Sequence, residues 1–285
     1  MTSLKLTTTL IAGAFALGAA TLAYAEADKK TLVIEGTTIA TEAKPAMKDG
    51  PLDHLYSGWR FRSKETQSLQ MDDFENPAMP TVDIGADLWT EVDGSAGKSC
   101  SSCHNEAETS MKGVRAAYPK WSAKLGKPHT LETQINECRE ERMGAKKWKW
   151  EAGNMLAMTG YVGLQSRGMP TSVQTDGPMA EWMANGKKLY YTRVGQLNMS
   201  CANCHEENYG KHIRSDHLSQ GQINGFPTYR LKWGGLGSIH RRFKGCMKNI
   251  RAKPYKRGSD EFVALEVYVA SRGQGLVVET PAVRN

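Results

Sequence analysis

Cysteine is scarce in this chain: there are six in 285 residues, and they fall into two sets of three with none left over. Long apolar runs are scarcer still. After the first 25 residues no stretch is apolar enough to cross a bilayer, so a membrane span is excluded for the remainder. Strand signals are sparse, and the loops are rich in Gly, Asn, Ser and Pro, which favours an all-α protein with long loops. Acid is missing from one region. From His217 through Ser259 there are ten Lys or Arg and no Asp or Glu.

The first 25 residues have the marks of a secretory leader. Lys5 gives a charged start, Leu10 to Ala20 is apolar, and Ala23-Tyr24-Ala25 is a small-x-small cleavage site. The apolar run is short for a membrane anchor and ends in that site. Cleavage after Ala25 would leave an exported chain, and the expected location is the periplasm. The formal charge of +7 fits anionic partners, and export argues against nucleic acid as one of them.

Cys201-Ala202-Asn203-Cys204-His205 spells C-x-x-C-H, the attachment signature of a c-type haem. Two thiols add to the haem vinyl groups, and the adjacent histidine ligates iron from one face. Cys100-Ser101-Ser102-Cys103-His104 is a second copy. One such motif can arise by accident or serve redox or zinc chemistry. Two copies at matching places in a repeat indicate two covalently bound haems.

The repeat is visible beyond the motifs. Gly85-Ala86-Asp87-Leu88-Trp89 begins 15 residues before Cys100, and Gly186-Lys187-Lys188-Leu189-Tyr190 begins 15 before Cys201. Gly94 and Gly195 also correspond. A further cysteine follows each histidine, Cys138 at 34 residues and Cys246 at 41. Each copy closes with an apolar helical stretch and Ser-Arg-Gly, at Met155 to Leu164 and at Phe262 to Ala270. In the latter Phe262, Leu265 and Val269 share a face. The pattern predicts two tandem cytochrome c-like domains of the class I type, related by internal duplication. The expected plan is a leader over 1–25, an N-terminal arm over 26–50 with one short strand at Thr31 to Ile34, a first haem domain over 51–169, a linker over 170–178 and a second haem domain over 179–285.

The open face of each iron needs a ligand. Met143, Met155, Met158, Met169, Met199 and Met247 are available, as are His129, His212, His217 and His240. Cys138 and Cys246 could pair as a disulfide in an oxidising compartment. Their matching places in the repeat favour thiolate ligation in both halves. Their surroundings differ. Cys138 lies in a balanced run, Asn136-Glu137-Cys138-Arg139-Glu140-Glu141-Arg142, whereas Cys246 follows Arg241-Arg242-Phe243-Lys244-Gly245. Nearby cations lower a thiol's pKa and attract small anions. Arg242 could hold an oxyanion such as a sulfonate through paired hydrogen bonds. Trp233-Gly234-Gly235-Leu236-Gly237 reads either as a flexible loop near the substrate entrance or as an ordinary turn.

These residues resemble the SoxA family, the dihaem subunits of the SoxAX cytochromes of sulfur-oxidising bacteria. The carriers are the leader, both C-x-x-C-H motifs, Glu137-Cys138-Arg139 and Arg241-Arg242-Phe243-Lys244-Gly245-Cys246, and the resemblance covers essentially the whole chain after the leader. It implies an L-cysteine S-thiosulfotransferase that joins thiosulfate oxidatively to a cysteine of a SoxYZ-like carrier protein. It also implies a SoxX-like monohaem cytochrome c as heterodimer partner and a downstream cytochrome c as electron acceptor. Cys246 would be both an axial ligand and the reactive residue, Arg242 would contact substrate, and His104, Cys138 and His205 would be the other axial ligands. Two alternatives stay open: a thiosulfate dehydrogenase that forms tetrathionate, and a dihaem electron carrier with no catalysis.

Overall fold

In a computed structural model, residues 30–47 and 50–285 are described. The leader expected over 1–25 lies outside them. Among the described residues ten α-helices form the frame: α1 (Lys64–Ser68), α2 (Met79–Thr90), α3 (Ser101–His104), α4 (Ala107–Ser110), α5 (Leu131–Met143), α6 (Gly153–Leu164), α7 (Ala180–Tyr191), α8 (Cys201–His205), α9 (Ile239–Asn249) and α10 (Asp260–Arg272). Among the described residues no helix is long and apolar enough to cross a membrane.

Two helix crossings organise the chain. α2 packs on α6 in the first half, and α7 packs on α10 in the second. Both need a glycine at the contact. A Cβ on Gly85 would stand 2.3 Å from the Ala157 carbonyl oxygen, and one on Gly186 would stand 2.0 Å from that of Ala264. The next residues in each crossing also match, Tyr161 in the first and Tyr268 in the second. This is the physical meaning of the repeated G-x-x-L-aromatic pattern. After each crossing helix the chain turns through Gly94 (φ +75°) or Gly195 (φ +74°), inside an isolated bridge of Asp93 with Lys98 or Val194 with Met199.

Local signals set the helix ends. Ser259 caps α10 by accepting from the Phe262 N–H, and Asp260 and Glu261 occupy its first turn. The Phe262, Leu265 and Val269 face packs into a core with Tyr190 and Ile223. Thr130 caps α5 and Ser238 caps α9 in the same way. α5 stops at Gly144, which is left-handed at φ +64°.

Short ribbons accompany the helices and qualify the all-α expectation. β1 (Thr31–Ile34) is the strand expected in the arm, and it pairs with β2 (Thr37–Ala40). β3 (Glu42–Ala43) pairs with β4 (Leu55–Tyr56), β5 (Lys120–Ser122) with β6 (Lys127–His129), and β7 (His212–Ile213) with β8 (Asp216–His217). β9 (Thr228–Arg230) is central in a three-stranded sheet, antiparallel to β10 (Gly235–Gly237) and parallel to β11 (Ala282–Arg284). Most of these ribbons are hairpins whose strands are only two to four residues long, too short to show alternation, and only the parallel pairing of β11 with β9 is distant in sequence.

The chain ends draw the halves together. Thr171 N donates to the Leu276 carbonyl at 2.8 Å, and Gly275 N donates to that of Thr171 at 2.9 Å. Residues 168–173, the start of the expected linker included, thus lie against the C-terminal tail. The N-terminal segment also reaches the second half: Tyr56 N donates to Gln220 Oε1 at 2.7 Å, and Gln70 Nε2 to Glu279 Oε2 at 3.1 Å. Leu236 packs with Ala78 and Leu156 across the junction.

Candidate functional site

α8 and α9 build the second-half site. Ser200 and Asn203 form a capping box that starts α8 at Cys201. The helix presents Cys201, Cys204 and His205 to one large cavity, which is lined otherwise mostly by apolar side chains. On α9, Arg242 and Cys246 are four residues apart and therefore share a face. Both line the same cavity, with Phe243 and Met247 beside them. His205 Nδ1 is tied to the Ser219 carbonyl at 2.7 Å, so the other ring nitrogen is left for the cavity. His205 and Cys246 face one another closely enough for the ring to hydrogen-bond the sulfur.

Electrostatics separate this thiol from its neighbours. Burial opposes ionisation of Cys246, but the Arg242 guanidinium, the His205 hydrogen bond and Arg230 outweigh it and bring the thiol down to about 7. Burial pushes Cys201 up to about 12 and Cys100 up to about 11. All six cysteines are free of disulfides, so Cys138 and Cys246 are not paired.

The cavity fits a c-type haem. Gly221 (φ +74°) lies so close to the His205 ring that a Cβ would stand 2.9 Å from it, a cradle that fixes the ring plane. Gln222 lines the cavity with both side-chain amide atoms buried and unpartnered. Two thiols, a backbone-oriented imidazole and an opposing sulfur form the donor set.

The first half carries the same donors in a more open setting. Cys103 and His104 are exposed, and the His104 ring tilts against Trp89 with centroids 5.9 Å apart. Cys138, on α5, accepts from Gln134 Nε2 at 3.5 Å and lies within electrostatic reach of Cys100. Its neighbour Arg139 turns away to Asp93 at 2.6 Å and stacks over Trp148.

Other candidates have plain structural places. Met143, Met155 and Met158 are buried in core packing. Buried His129 lies 3.4 Å from Glu137, and buried His240 stacks on Trp150. Met199 and His217 line the second cavity. Trp233 to Gly237 is no free loop. Gly235–Gly237 pairs with β9, and Trp233 lies beneath the guanidiniums of Arg230 and Arg241. The acid-free run finds counter-charges elsewhere in the chain, Asp216 for Lys232 and Glu151 for Arg241 and Arg257. Sequence reading missed Arg62 and Arg284, which line the cavity from opposite ends of the chain. No local motif marks either.

Crossing helices around a C-x-x-C-H segment, with a sulfur facing its histidine, define a cytochrome c. The chain belongs to the SoxA/TsdA cytochrome c family, whose domain matches residues 84–171 and again 185–278. It is 52% identical to the L-cysteine S-thiosulfotransferase subunit SoxA of Pseudaminobacter salicylatoxidans, over 92% of both chains. It is 50% identical to the SoxA subunit of Paracoccus pantotrophus over 97% of both. The crystal structure of SoxXA from P. pantotrophus superposes with a TM-score of 0.86 at 49% identity, covering 91% of this chain and 99% of that one.

Proposed function

We infer that this chain is the catalytic subunit of an L-cysteine S-thiosulfotransferase, which joins thiosulfate to a cysteine of a SoxYZ-like carrier. The observation that carries this reading is Cys246, held toward thiolate by Arg242 one helical turn away and facing His205. Identity near 50% to SoxA subunits over most of the chain supports it. In this reading the chain is a duplicated pair of class I-type domains, over 51–169 and 179–285, each with one covalent haem. Cys100 and Cys103 attach the first and Cys201 and Cys204 the second. His104 with Cys138, and His205 with Cys246, would hold the two irons. The leader sends the chain to the periplasm, where a SoxX-like monohaem cytochrome c completes a heterodimer. A further cytochrome c takes the electrons onward.

The residues divide the work as follows. The haem, when bound, supplies a one-electron acceptor beside Cys246. Arg242 draws the thiosulfate dianion in and orients it by paired hydrogen bonds. The Cys246 thiolate, or sulfur carried on it, forms a sulfur–sulfur bond to the terminal sulfur of thiosulfate, and two electrons leave. His205 is held rigid by Ser219 throughout. The carrier's thiolate then attacks that terminal sulfur, takes the thiosulfate group and returns Cys246 as thiolate.

The test is a product assay on haem-loaded protein with thiosulfate, oxidised cytochrome c, the monohaem partner and the carrier. Intact mass should show the carrier heavier by one thiosulfate, and Cys246→Ala with both haems retained should abolish the adduct. Tetrathionate without a carrier adduct would assign the chain to the dehydrogenase side of its family instead. Neither product would leave electron carriage alone.

A further inference from the structure

The second-half cavity carries more positive charge than its reactive sulfur accounts for. Arg62, Arg230, Arg242 and Arg284 all line it. Arg284 is neutralised by Glu279, with Nη2 to Oε2 at 2.9 Å. Asp216 is divided between Arg230 Nη2 at 3.9 Å and Lys232 Nζ at 3.3 Å. Among the described residues no ion pair ties Arg62 or Arg242 to a carboxylate. Arg62 donates to two neutral oxygens, Asn285 Oδ1 and the His217 carbonyl, and its Nε is buried without a partner. Burial and the neighbouring guanidiniums bring Arg62 and Arg230 each down to about 10. Cations crowded in this way call for anions. Arg242 is already placed one turn before Cys246 on α9, which leaves Arg62 with no carboxylate and Arg230 with only a share of Asp216.

We propose that Arg62 and Arg230 receive the two carboxylates of the second-half haem, leaving Arg242 for the sulfonate of the substrate. The proposal rests on the reading above only in placing a haem there. Arg62 comes from outside both matched cytochrome segments, 84–171 and 185–278. It follows a short helical turn, Gly58–Phe61, whose Trp59 is anchored in the packing of β1 and β2. The N-terminal segment is thereby clamped onto the loaded second half, and β11, at the other chain end, brings Arg284 alongside. A cation beside a carboxylate near iron favours the reduced state by lowering the negative charge that the extra electron meets.

The test uses the full haem-loaded protein in an optical redox titration, read without the carrier. In Arg62→Gln and in Arg230→Gln, one haem wave should move to lower potential while the other stays. Arg62→Lys should restore most of the shift. In Arg62→Gln, which is not among the charges acting on Cys246, the KM for thiosulfate in the transfer assay should stay within about twofold of the parent. Unmoved waves in both glutamine variants would overturn the proposal. Unmoved waves with a KM raised about tenfold would assign this pair to the substrate sulfonate instead. Because the titration needs no turnover, it stands even if the transfer reaction fails.

Discussion

The two halves place a cysteine at the same distance from the same structural landmark and surround it differently. In each, a Tyr or Phe followed by proline lies 20 residues before the sulfur, Tyr118-Pro119 before Cys138 and Phe226-Pro227 before Cys246. One turn before the sulfur the first half has Gln134 and the second has Arg242. Gln134 donates an amide hydrogen bond to Cys138 and is itself occupied by Tyr118 and His129. Arg242 supplies a full charge to Cys246. A shared frame thus sets where the sulfur sits, and the residue one turn upstream sets what it can do. The second half also has seven more residues between the histidine and that landmark, in the segment holding β7 and β8. Asp216 and His217, on β8, reach the cavity from there.

The largest expected effect is the one that breaks the symmetry outright. Cys246→Ala should lower carrier thiosulfonation roughly 10³-fold or more, while Cys138→Ala should change it by only a few-fold; comparing initial rates of carrier mass gain checks both. Next, Arg242→Gln should cost roughly 10²-fold in kcat/KM, the scale of losing a positioned donor to an oxyanion. Steady-state kinetics with thiosulfate as the varied substrate reads it. The same substitution makes the second site resemble the first.

A third comparison concerns the frame. Gly85→Ala and Gly186→Ala each force a Cβ into a carbonyl of the partner helix, and each should cost about 1–3 kcal/mol. Thermal melting of the haem-loaded protein should show similar losses for both, and a loss for only one would mean the crossings are not equivalent.

The repeated glycines, the cysteine triplets and the capped apolar helix at 260–272 were legible because each rests on local spacing. Ser259 and the acids after it, for instance, announce α10 within one turn. The basic run around Cys246 was legible as charge but not as geometry. Its counter-charges, Asp216 and Glu151, come from other segments. The N-terminal segment was the least readable part. Tyr56 meets Gln220 across 164 positions, and Arg62 enters the second cavity, with no periodicity or motif to signal either contact. Strand β10 is not legible as a strand because two of its three residues are glycines, which carry little strand propensity.

The smallest expected effect lies where the halves touch. α5 and α9 bear the two odd cysteines, and each sends a residue near its start, Glu132 and His240, into one buried cluster with Glu266. His240 Nε2 lies 3.0 Å from Glu266 Oε2, and Arg115 lines the adjoining small cavity. Burial first, then the Glu266 charge, raises the Glu132 carboxyl above its usual range. A carboxyl raised on folding contributes stability below its unfolded value that is lost as pH rises through the folded one. Glu132→Gln should therefore flatten the fall in stability between those two values. Denaturant midpoints at several pH values in the two proteins would show the curves diverging as pH rises.

The central claim is that one frame holds two sulfurs and only one is reactive. Peptide mapping by mass spectrometry after mild reduction and alkylation of the native, haem-loaded protein tests it most directly. The account expects label at Cys246 and none at Cys138, with labelling of Cys246 prevented by excess thiosulfate. Equal labelling of both, or label at Cys138 alone, would contradict it.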